Sequence, residues 1–243
     1  MRQAYFLLLI LSLSSCRKEH IDSIDVISNL SISNKEGLVA DGQTLVNITA
    51  EIDKRSDLSK RNIVFKTSAG TFTGNNDTVI TIKADFLQQK LIGKATLKMP
   101  MIPGKIIISA EPEVKVSYGD FNLKDSIEVA PSLPSSIKLE PSSVSVKTGY
   151  QSEVQITGTL KNNANKNVSL GTKVKFEDFD ENGLSIHGSY RAAQDASDQN
   201  SKVSTFYSPG YLPIGTKCSI KCSVLDNSGA VVASDVIYLT VIE

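Results

Sequence analysis

Two cysteines near the end of the sequence have the most reactive side chains in the part of the chain that should fold. Cys218 and Cys222 alternate with Ile220 and Val224, so a strand would place all four on one apolar face. Four residues of strand span about 13 Å, whereas a disulfide needs Cα atoms within about 7 Å. A metal site would need further His or Cys ligands nearby in sequence, and a nucleophile would need a base, for which His187 is the sole candidate. The spacing therefore predicts two buried free thiols that fill a core.

A short acidic stretch is the sequence's partial match to a cation site. Asp178, Asp180 and Asn182 alternate before Gly183, as oxygen ligands do in the first half of a calcium loop. The twelfth position of such a loop is a bidentate Glu, but here it is Ser189, and the preceding residues are typical of a strand. An acidic turn that closes a hairpin, with Gly183 at positive φ, explains the same residues. We expect no bound metal. The alternative is a calcium site formed by Asp178, Asp180 and Asn182.

Patterns typical of enzymes do not occur in this sequence. There is no Gly-x-Ser-x-Gly elbow, no His-Glu-x-x-His, no phosphate loop and no dinucleotide-binding glycine pattern. The two histidines are His20 and His187, so few groups titrate near neutral pH. Lys plus Arg and Asp plus Glu both number 26, which provides no basic field for a nucleic acid. We expect a protein that is not an enzyme, has no cofactor and does not bind nucleic acid.

Aromatic residues in or beside turns are the candidates for stacking against sugars. There are seven tyrosines, eight phenylalanines and no tryptophan, and without tryptophan such a platform would be weak. A tyrosine at the corner of a sandwich more often bonds to local backbone. The ligand-binding residues stay unknown at this point, and the exposed candidates are Tyr118, Phe121, Tyr150, Tyr190, Tyr207 and Tyr211.

The N-terminus has the composition of an export signal. Arg2 precedes an apolar run over residues 5–13, which is too short to span a bilayer. The following Leu13-Ser14-Ser15-Cys16 resembles the lipobox of bacterial lipoproteins. The resemblance implies that residues 1–15 are a cleaved lipoprotein signal peptide and that Cys16 is lipidated, which anchors the protein on a membrane through several acyl chains.

The residues after Cys16 indicate which membrane holds the protein and how far from it the first domain lies. In the Gram-negative lipoproteins that the lipobox resembles, Arg17 rather than Asp implies passage to the outer membrane. The sequence leaves open whether the protein faces the periplasm or the cell surface. Residues 16–25 are polar and charged, as a tether between lipid and domain should be.

Short runs of period-two alternation dominate the rest of the chain and occur in two copies. Val46-Asn47-Ile48-Thr49-Ala50-Glu51-Ile52 and Val154-Gln155-Ile156-Thr157-Gly158-Thr159-Leu160 are offset by 108 residues. Such runs, bounded by Gly, Pro, Asn and Asp, indicate strands with one apolar face. Two prolines, Pro131 and Pro134, separate the copies. The stretch 85–91 is the one segment where we expect a helical turn.

These patterns predict an all-β protein with two tandem immunoglobulin-like β-sandwich domains. The 243 residues suffice for two domains of roughly 100 residues each. We expect the first domain over residues 26–130, a linker over 131–136 that leaves the two domains end to end, and the second domain over 137–243.

In the first copy, residues 39–44, 46–52 and 63–70 resemble the bacterial immunoglobulin-like repeats of invasin and intimin-type adhesins. The resemblance extends over about residues 30–110 and covers the second copy in outline. It implies a sandwich used in surface display and adhesion, although many members of this family are stalk repeats without a ligand of their own.

The function we expect is therefore a non-enzymatic, lipid-anchored cell-surface protein that acts in adhesion, in partner binding or as a spacer. The alternative is a glycan-binding accessory lipoprotein of a polysaccharide uptake system. The partner besides the membrane would be a surface protein or a glycan. The loops 178–183 and 194–201 are the longest polar insertions, and we expect them to form the contact region at the far end of the second domain.

Overall fold

The computed structural model describes residues 26–53, 61–87, 90–113 and 121–243, and in these ranges every regular element is a β-strand. The predicted signal peptide, Cys16 and the tether lie outside the described residues. Within them, no helical segment has the length and hydropathy of a membrane span.

The first sandwich contains two sheets. One has the order β1-β2-β7, with β4 and β6 both pairing with the free edge of β7, and the other has the order β5-β3-β8-β9. Its strands are β1 (Ile27–Ile32), β2 (Leu45–Ile52), β3 (Asn62–Thr67), β4 (Thr71–Phe72), β5 (Val79–Lys83), β6 (Asp85–Leu87), β7 (Lys90–Lys98), β8 (Gly104–Pro112) and β9 (Leu123–Val129).

The second sandwich also contains two sheets. One sheet has the order β10-β12-β15-β14, and the other has the order β11-β17-β16-β13. Its strands are β10 (Ser136–Pro141), β11 (Ser145–Lys147), β12 (Val154–Lys161), β13 (Val174–Phe179), β14 (Ser189–Arg191), β15 (Lys202–Ser208), β16 (Lys217–Leu225) and β17 (Val231–Ile242).

The strand order defines the fold as immunoglobulin-like. With β11 set aside, the second sandwich places its first, second, fourth and fifth strands in one sheet and its third, sixth and seventh in the other, which is the constant-type arrangement. The short β11 adds to the second sheet by pairing in parallel with β17. The chain is thus all-β, with two immunoglobulin-like sandwiches.

Each sandwich has its own core, and the repeat predicted from the sequence occupies equivalent places in both. The alternating run 46–52 lies in β2 and the run 154–160 lies in β12, each the second strand of its sheet. Inward side chains such as Ile48, Phe65 and Ile108 fill the first core, and Ile156, Val203 and Ile220 fill the second. Both cores are apolar, as the alternation predicts.

The helical turn expected at residues 85–91 is wrong. Residues Asp85–Leu87 form β6, and Leu91 lies in β7 and pairs with Phe86 across the ladder. The side chains of β6 are all exposed, so burial of an apolar face does not determine its conformation. Its strand geometry comes from the free edge of β7, which the local sequence does not reveal.

A set of hydrogen bonds joins the two sandwiches. The Ser169 hydroxyl donates to the Ala40 carbonyl at 3.0 Å, and the Leu170 amide donates to the Met101 carbonyl at 2.9 Å. Lys166 donates to the Thr44 hydroxyl at 2.9 Å and lies 3.7 Å from the buried Asp41 carboxylate. The segment between β12 and β13 of the second sandwich therefore covers the end of the first.

Candidate functional site

Two tyrosines form an exposed aromatic pair on the second sandwich. Tyr150 lies in the turn between β11 and β12, and Tyr211 lies in the loop between β15 and β16. Their ring centroids are 5.4 Å apart with an interplanar angle of 84°, and their exposed fractions are 60% and 81%. Edge-to-face packing holds the rings together while leaving them accessible. Both residues were sequence candidates.

Glycines on the two loops allow this pair to form. The Gly149 amide donates to the Gly210 carbonyl at 2.8 Å, which fixes the turn against the loop. Gly210 has φ of 69°, and a Cβ there would come within 3.1 Å of two ring atoms and the hydroxyl oxygen of Tyr150. Only glycine accommodates both the backbone angle and the ring.

Two exposed aliphatic residues extend the aromatic pair. Ile214 is 63% exposed and Ile242 is 39% exposed. The Gly215 amide donates to the Val241 carbonyl, so the loop of Tyr211 and Ile214 runs beside the end of β17. We call Tyr150, Tyr211, Ile214 and Ile242 the end surface. Sequence reasoning missed the two isoleucines, although an apolar residue between Pro213 and Gly215 was a usable signal.

The end surface lies at the opposite end of the second sandwich from the first sandwich. Strand β12 begins four residues after Tyr150 and ends at Lys161, shortly before the segment that contacts the first sandwich. Its eight residues span about 26 Å at the usual strand rise. Strand β15 runs the other way and ends at Ser208, three residues before Tyr211.

Three of the other aromatic candidates, Tyr207, Tyr190 and Phe121, are buried or partly buried. Tyr207 is fully buried, because it occupies an inward position of β15 with Val203 and Thr205. Tyr190 is partly buried, with its ring centroid 5.1 Å from that of Tyr207. Phe121 is also partly buried. Tyr118 lies outside the described residues.

The acidic stretch engages its carboxylates in internal hydrogen bonds. Asp178 is buried and accepts from the Gly188 amide at 2.7 Å and from the Tyr207 hydroxyl at 3.1 Å. Asp180 accepts from the amides of Leu184 and Asn182, and the Leu184 amide in particular lowers the pKa of its carboxyl. Among the described residues, no three His, Cys, Asp or Glu side chains converge as a metal site would require.

The turn at Gly183 does not close a hairpin, which corrects the simpler of the two sequence interpretations. Gly183 does have positive φ, at 78°. However, the chain enters this turn from β13 and leaves it towards β14, which belongs to the other sheet. The turn therefore carries the chain across the sandwich.

The two cysteines are buried and free, as their spacing predicts. Both lie on β16 with their side chains in the second core. Burial raises the pKa of Cys218, and burial raises that of Cys222 to about 12. Thiols of this kind are protonated at neutral pH and are poor nucleophiles.

The sequence predicts that loops 178–183 and 194–201 form one contact region at the far end of the second sandwich. This prediction is wrong for loop 194–201. The second loop lies beside the first sandwich, because Gly171 donates to the Ser197 carbonyl and Gln199 and Asn200 face the junction. The first loop lies at the other end, where Glu181 is 3.8 Å from Lys217 at the start of β16. The two loops therefore cannot form one surface.

An open groove of about 860 Å³ lies between the sandwiches. Amide side chains line it from both sides, Gln43 from the first sandwich and Asn167, Gln199 and Asn200 from the second. Thr71 and Lys98 add a hydroxyl and an ammonium group. Such a lining offers both donors and acceptors to a polar ligand.

No model of a known protein family matches the sequence, and no curated protein matches it. Solved structures do. The Yersinia pseudotuberculosis adhesin InvE matches with 14% identity and a TM-score of 0.45, over 89% of this chain and 60% of the adhesin chain. The Escherichia coli adhesin FdeC matches with 15% identity and a TM-score of 0.38, over 88% of this chain and 62% of its own.

A third similar structure is a glycosyl hydrolase family 2 member from Bacteroides cellulosilyticus. It matches with 9% identity and a TM-score of 0.34, over 86% of this chain and 24% of the hydrolase chain. Bacterial adhesins are thus among the similar structures, as the sequence resemblance predicts. The class of the protein, a tandem immunoglobulin-like sandwich, follows from its strand order.

Proposed function

We propose that this protein is a non-enzymatic, lipid-anchored adhesion protein of the bacterial outer membrane. In this proposal the first sandwich serves as a spacer and the second presents the end surface to a partner. The observation that carries the proposal is the exposure of Tyr150 and Tyr211 at the end remote from the first sandwich. Exposed aromatic clusters are typical of recognition surfaces.

The anchor in this proposal is Cys16, whose acyl chains would hold the N-terminal side of the first sandwich near the membrane. Because β1 begins at Ile27, about ten residues would separate the lipid from the first sheet. The end surface would then be the part of the chain farthest from the membrane. Lipidation is tested by labelling cells with a radioactive fatty acid, which should enter the wild-type protein and not Cys16→Ser.

The adhesion role is tested with cells that lack the protein and are complemented with variants. We expect the wild type to restore attachment, and Cys16→Ser and the double variant Tyr150→Ser/Tyr211→Ser to fail. Tyr238→Ser is the matched control, because Tyr238 is 69% exposed on β17 and lies outside the end surface. Full attachment by the double variant would refute the assignment of the end surface.

Glycan binding is the second candidate, and the amide-lined groove between the sandwiches favours it. Side-chain amides pair readily with sugar hydroxyls, because each amide offers a donor and an acceptor. A glycan array probed with residues 16–243 carrying Cys16→Ser, the lipid-free chain without its signal peptide, tests this role. Binding that is lost in Gln199→Ala/Asn200→Ala and kept in Gln155→Ala, an exposed amide outside the groove, would support it over adhesion.

A further inference from the structure

The end surface of the second sandwich is equivalent to the surface of the first sandwich that is covered at the junction. The Gly42 amide donates to the Pro100 carbonyl, and the Gly149 amide donates to the Gly210 carbonyl. In each sandwich the next residue of the loop packs against the glycine, Met101 in the first and Tyr211 in the second.

The ends of the last strands confirm this equivalence. The Ala40 amide donates to the Ala130 carbonyl at 2.9 Å, and the Thr148 amide donates to the Ile242 carbonyl at 3.0 Å. Ala130 follows β9 and Ile242 ends β17. The same turn, loop and strand end thus build both surfaces.

The two surfaces differ in what covers them. In the first sandwich, the Met101 carbonyl accepts from Leu170 and the Ala40 carbonyl accepts from Ser169. In the second, no donor from the described residues pairs with the Tyr211 carbonyl. The side chains of the end surface are exposed as well, so no part of the described chain covers this second copy of the docking surface.

The chemistry of the end surface also differs from that of its covered equivalent. Asp41 is buried in the covered surface and lies near Lys166 of the other sandwich. The turn at residues 148–152 has no acidic residue, and Glu153 beyond it is paired with Arg191. A partner therefore needs no cation to pair with a carboxylate in this turn, as Lys166 does with Asp41. The end surface supplies its own donors, the two phenol hydroxyls, beside backbone carbonyl acceptors.

We propose that the end surface binds the same surface of a second copy of this chain. An apolar surface with both donors and acceptors, beside which Lys147 and Glu243 carry opposite charges, is self-complementary, as a two-fold contact requires. The inference rests on the proposed function, since it names the partner of the adhesion surface. Two chains joined in this way have their N-terminal sides at opposite ends, so the contact would link two membranes.

Sedimentation velocity of residues 16–243 carrying Cys16→Ser, the lipid-free chain without its signal peptide, tests the contact. We expect a monomer–dimer equilibrium with a dissociation constant below roughly 100 µM, as fits a small interface. The double variant Tyr211→Ser/Ile214→Ser should raise the dissociation constant about tenfold or more, because it removes the apolar side chains of the contact. Tyr238→Ser should leave the constant unchanged.

Two results would overturn the inference: a wild-type chain that stays monomeric up to roughly 500 µM, or a dimer that the double variant does not weaken. The replaced side chains are exposed, so both variants should keep the wild-type melting temperature. If the chain is monomeric while attachment still depends on Tyr211, the proposed function stands and the partner is another molecule.

Discussion

The Tyr207 hydroxyl donates a 3.1 Å hydrogen bond to Oδ2 of Asp178 and thereby joins the two sheets of the second sandwich. Tyr207 lies on β15 and Asp178 on β13, which belong to different sheets. The same carboxylate oxygen accepts from the Gly188 amide, in the segment that crosses between the sheets. In this sandwich both free cysteines lie on one strand, β16, so a polar bond provides the cross-link that a disulfide provides in antibody domains.

We predict that Tyr207→Phe destabilises the protein by about 1–3 kcal/mol, because a buried carboxylate oxygen loses a donor that water cannot replace. The free energy of unfolding from urea denaturation measures the loss. Gly188→Ala should cost at least as much, since a Cβ there would lie 2.7 Å from Asp178 Oδ2 and 2.7 Å from the Ser208 carbonyl.

Tyr190→Phe is the matched control for this prediction. The Tyr190 hydroxyl is buried, and no group among the described residues bonds to it. Its removal should leave stability unchanged or raise it slightly. Equal losses in Tyr190→Phe and Tyr207→Phe would show that the bond to Asp178 contributes nothing specific.

The sequence predicted those parts of the fold that local alternation determines. The runs at Val46 and Val154 specified which side chains of β2 and β12 enter the cores, since an extended strand allows only two faces. The same rule applied to Val203 and Thr205 would have placed Tyr207 inward. Its position near Pro209 instead led to its prediction as an exposed turn residue.

Contacts between distant segments could not be predicted in this way. Whether the chain after Asp180 returns to its own sheet or crosses to the other depends on which strand edges are free, and no local pattern encodes that. The same holds for loop 194–201. The direction of β15 determines at which end of the sandwich this loop lies. The end surface was half predicted, because Tyr150 and Tyr211 lie in turns, whereas Ile242 joins them only through the β11–β17 pairing.

The buried thiols should make stability depend on pH in the alkaline range. Burial raises the pKa of Cys222 from 9.0 to about 12 in the folded chain. Because the thiol pKa is higher in the folded chain, the thiol of the unfolded chain loses its proton at a lower pH. The stabilising contribution is therefore complete below pH 9 and is lost as the pH rises from about 9 towards about 12. Urea denaturation at pH 8 and pH 10.5 should show this fall.

Cys222→Val keeps an apolar side chain of similar size without a titrating group, so its fall between the two pH values should be smaller. In the lipid-free Cys16→Ser chain, a thiol reagent at pH 8 should label no cysteine before unfolding and two after it. Rapid labelling of the folded chain would contradict the buried positions of Cys218 and Cys222.

Calcium should not stabilise the protein through its acidic turn. Both Asp178 oxygens accept hydrogen bonds from the chain, and Asp180 Oδ1 holds the amides of Asn182 and Leu184. A cation bound at these three oxygens would have to displace these donors. We therefore expect the melting temperature to stay constant when calcium is raised to about 5 mM, above the dissociation constants usual for extracellular calcium modules. A rise that Asp180→Ala abolishes would establish the site instead.

The junction between the sandwiches depends on Ser169, which is buried at the contact. Its hydroxyl donates to the Ala40 carbonyl of the first sandwich and accepts from the Ser132 amide at 2.9 Å, in the stretch that connects the two. Ser169→Ala leaves both groups without their partner. We expect the free energy of unfolding to fall by about 1–3 kcal/mol. In small-angle X-ray scattering, the distribution of interatomic distances should become wider.

Ser228→Ala is the matched control for the junction, because its hydroxyl bonds only within an exposed turn, to Asp226 at 2.6 Å. That change should cost less than about 0.5 kcal/mol and leave the scattering profile unchanged. If Ser169→Ala lowered stability without widening the scattering distribution, the remaining bonds from Lys166 and Leu170 would suffice to hold the two sandwiches together. The end surface would then keep its distance from the first sandwich even without the serine, which is what a spacer role requires.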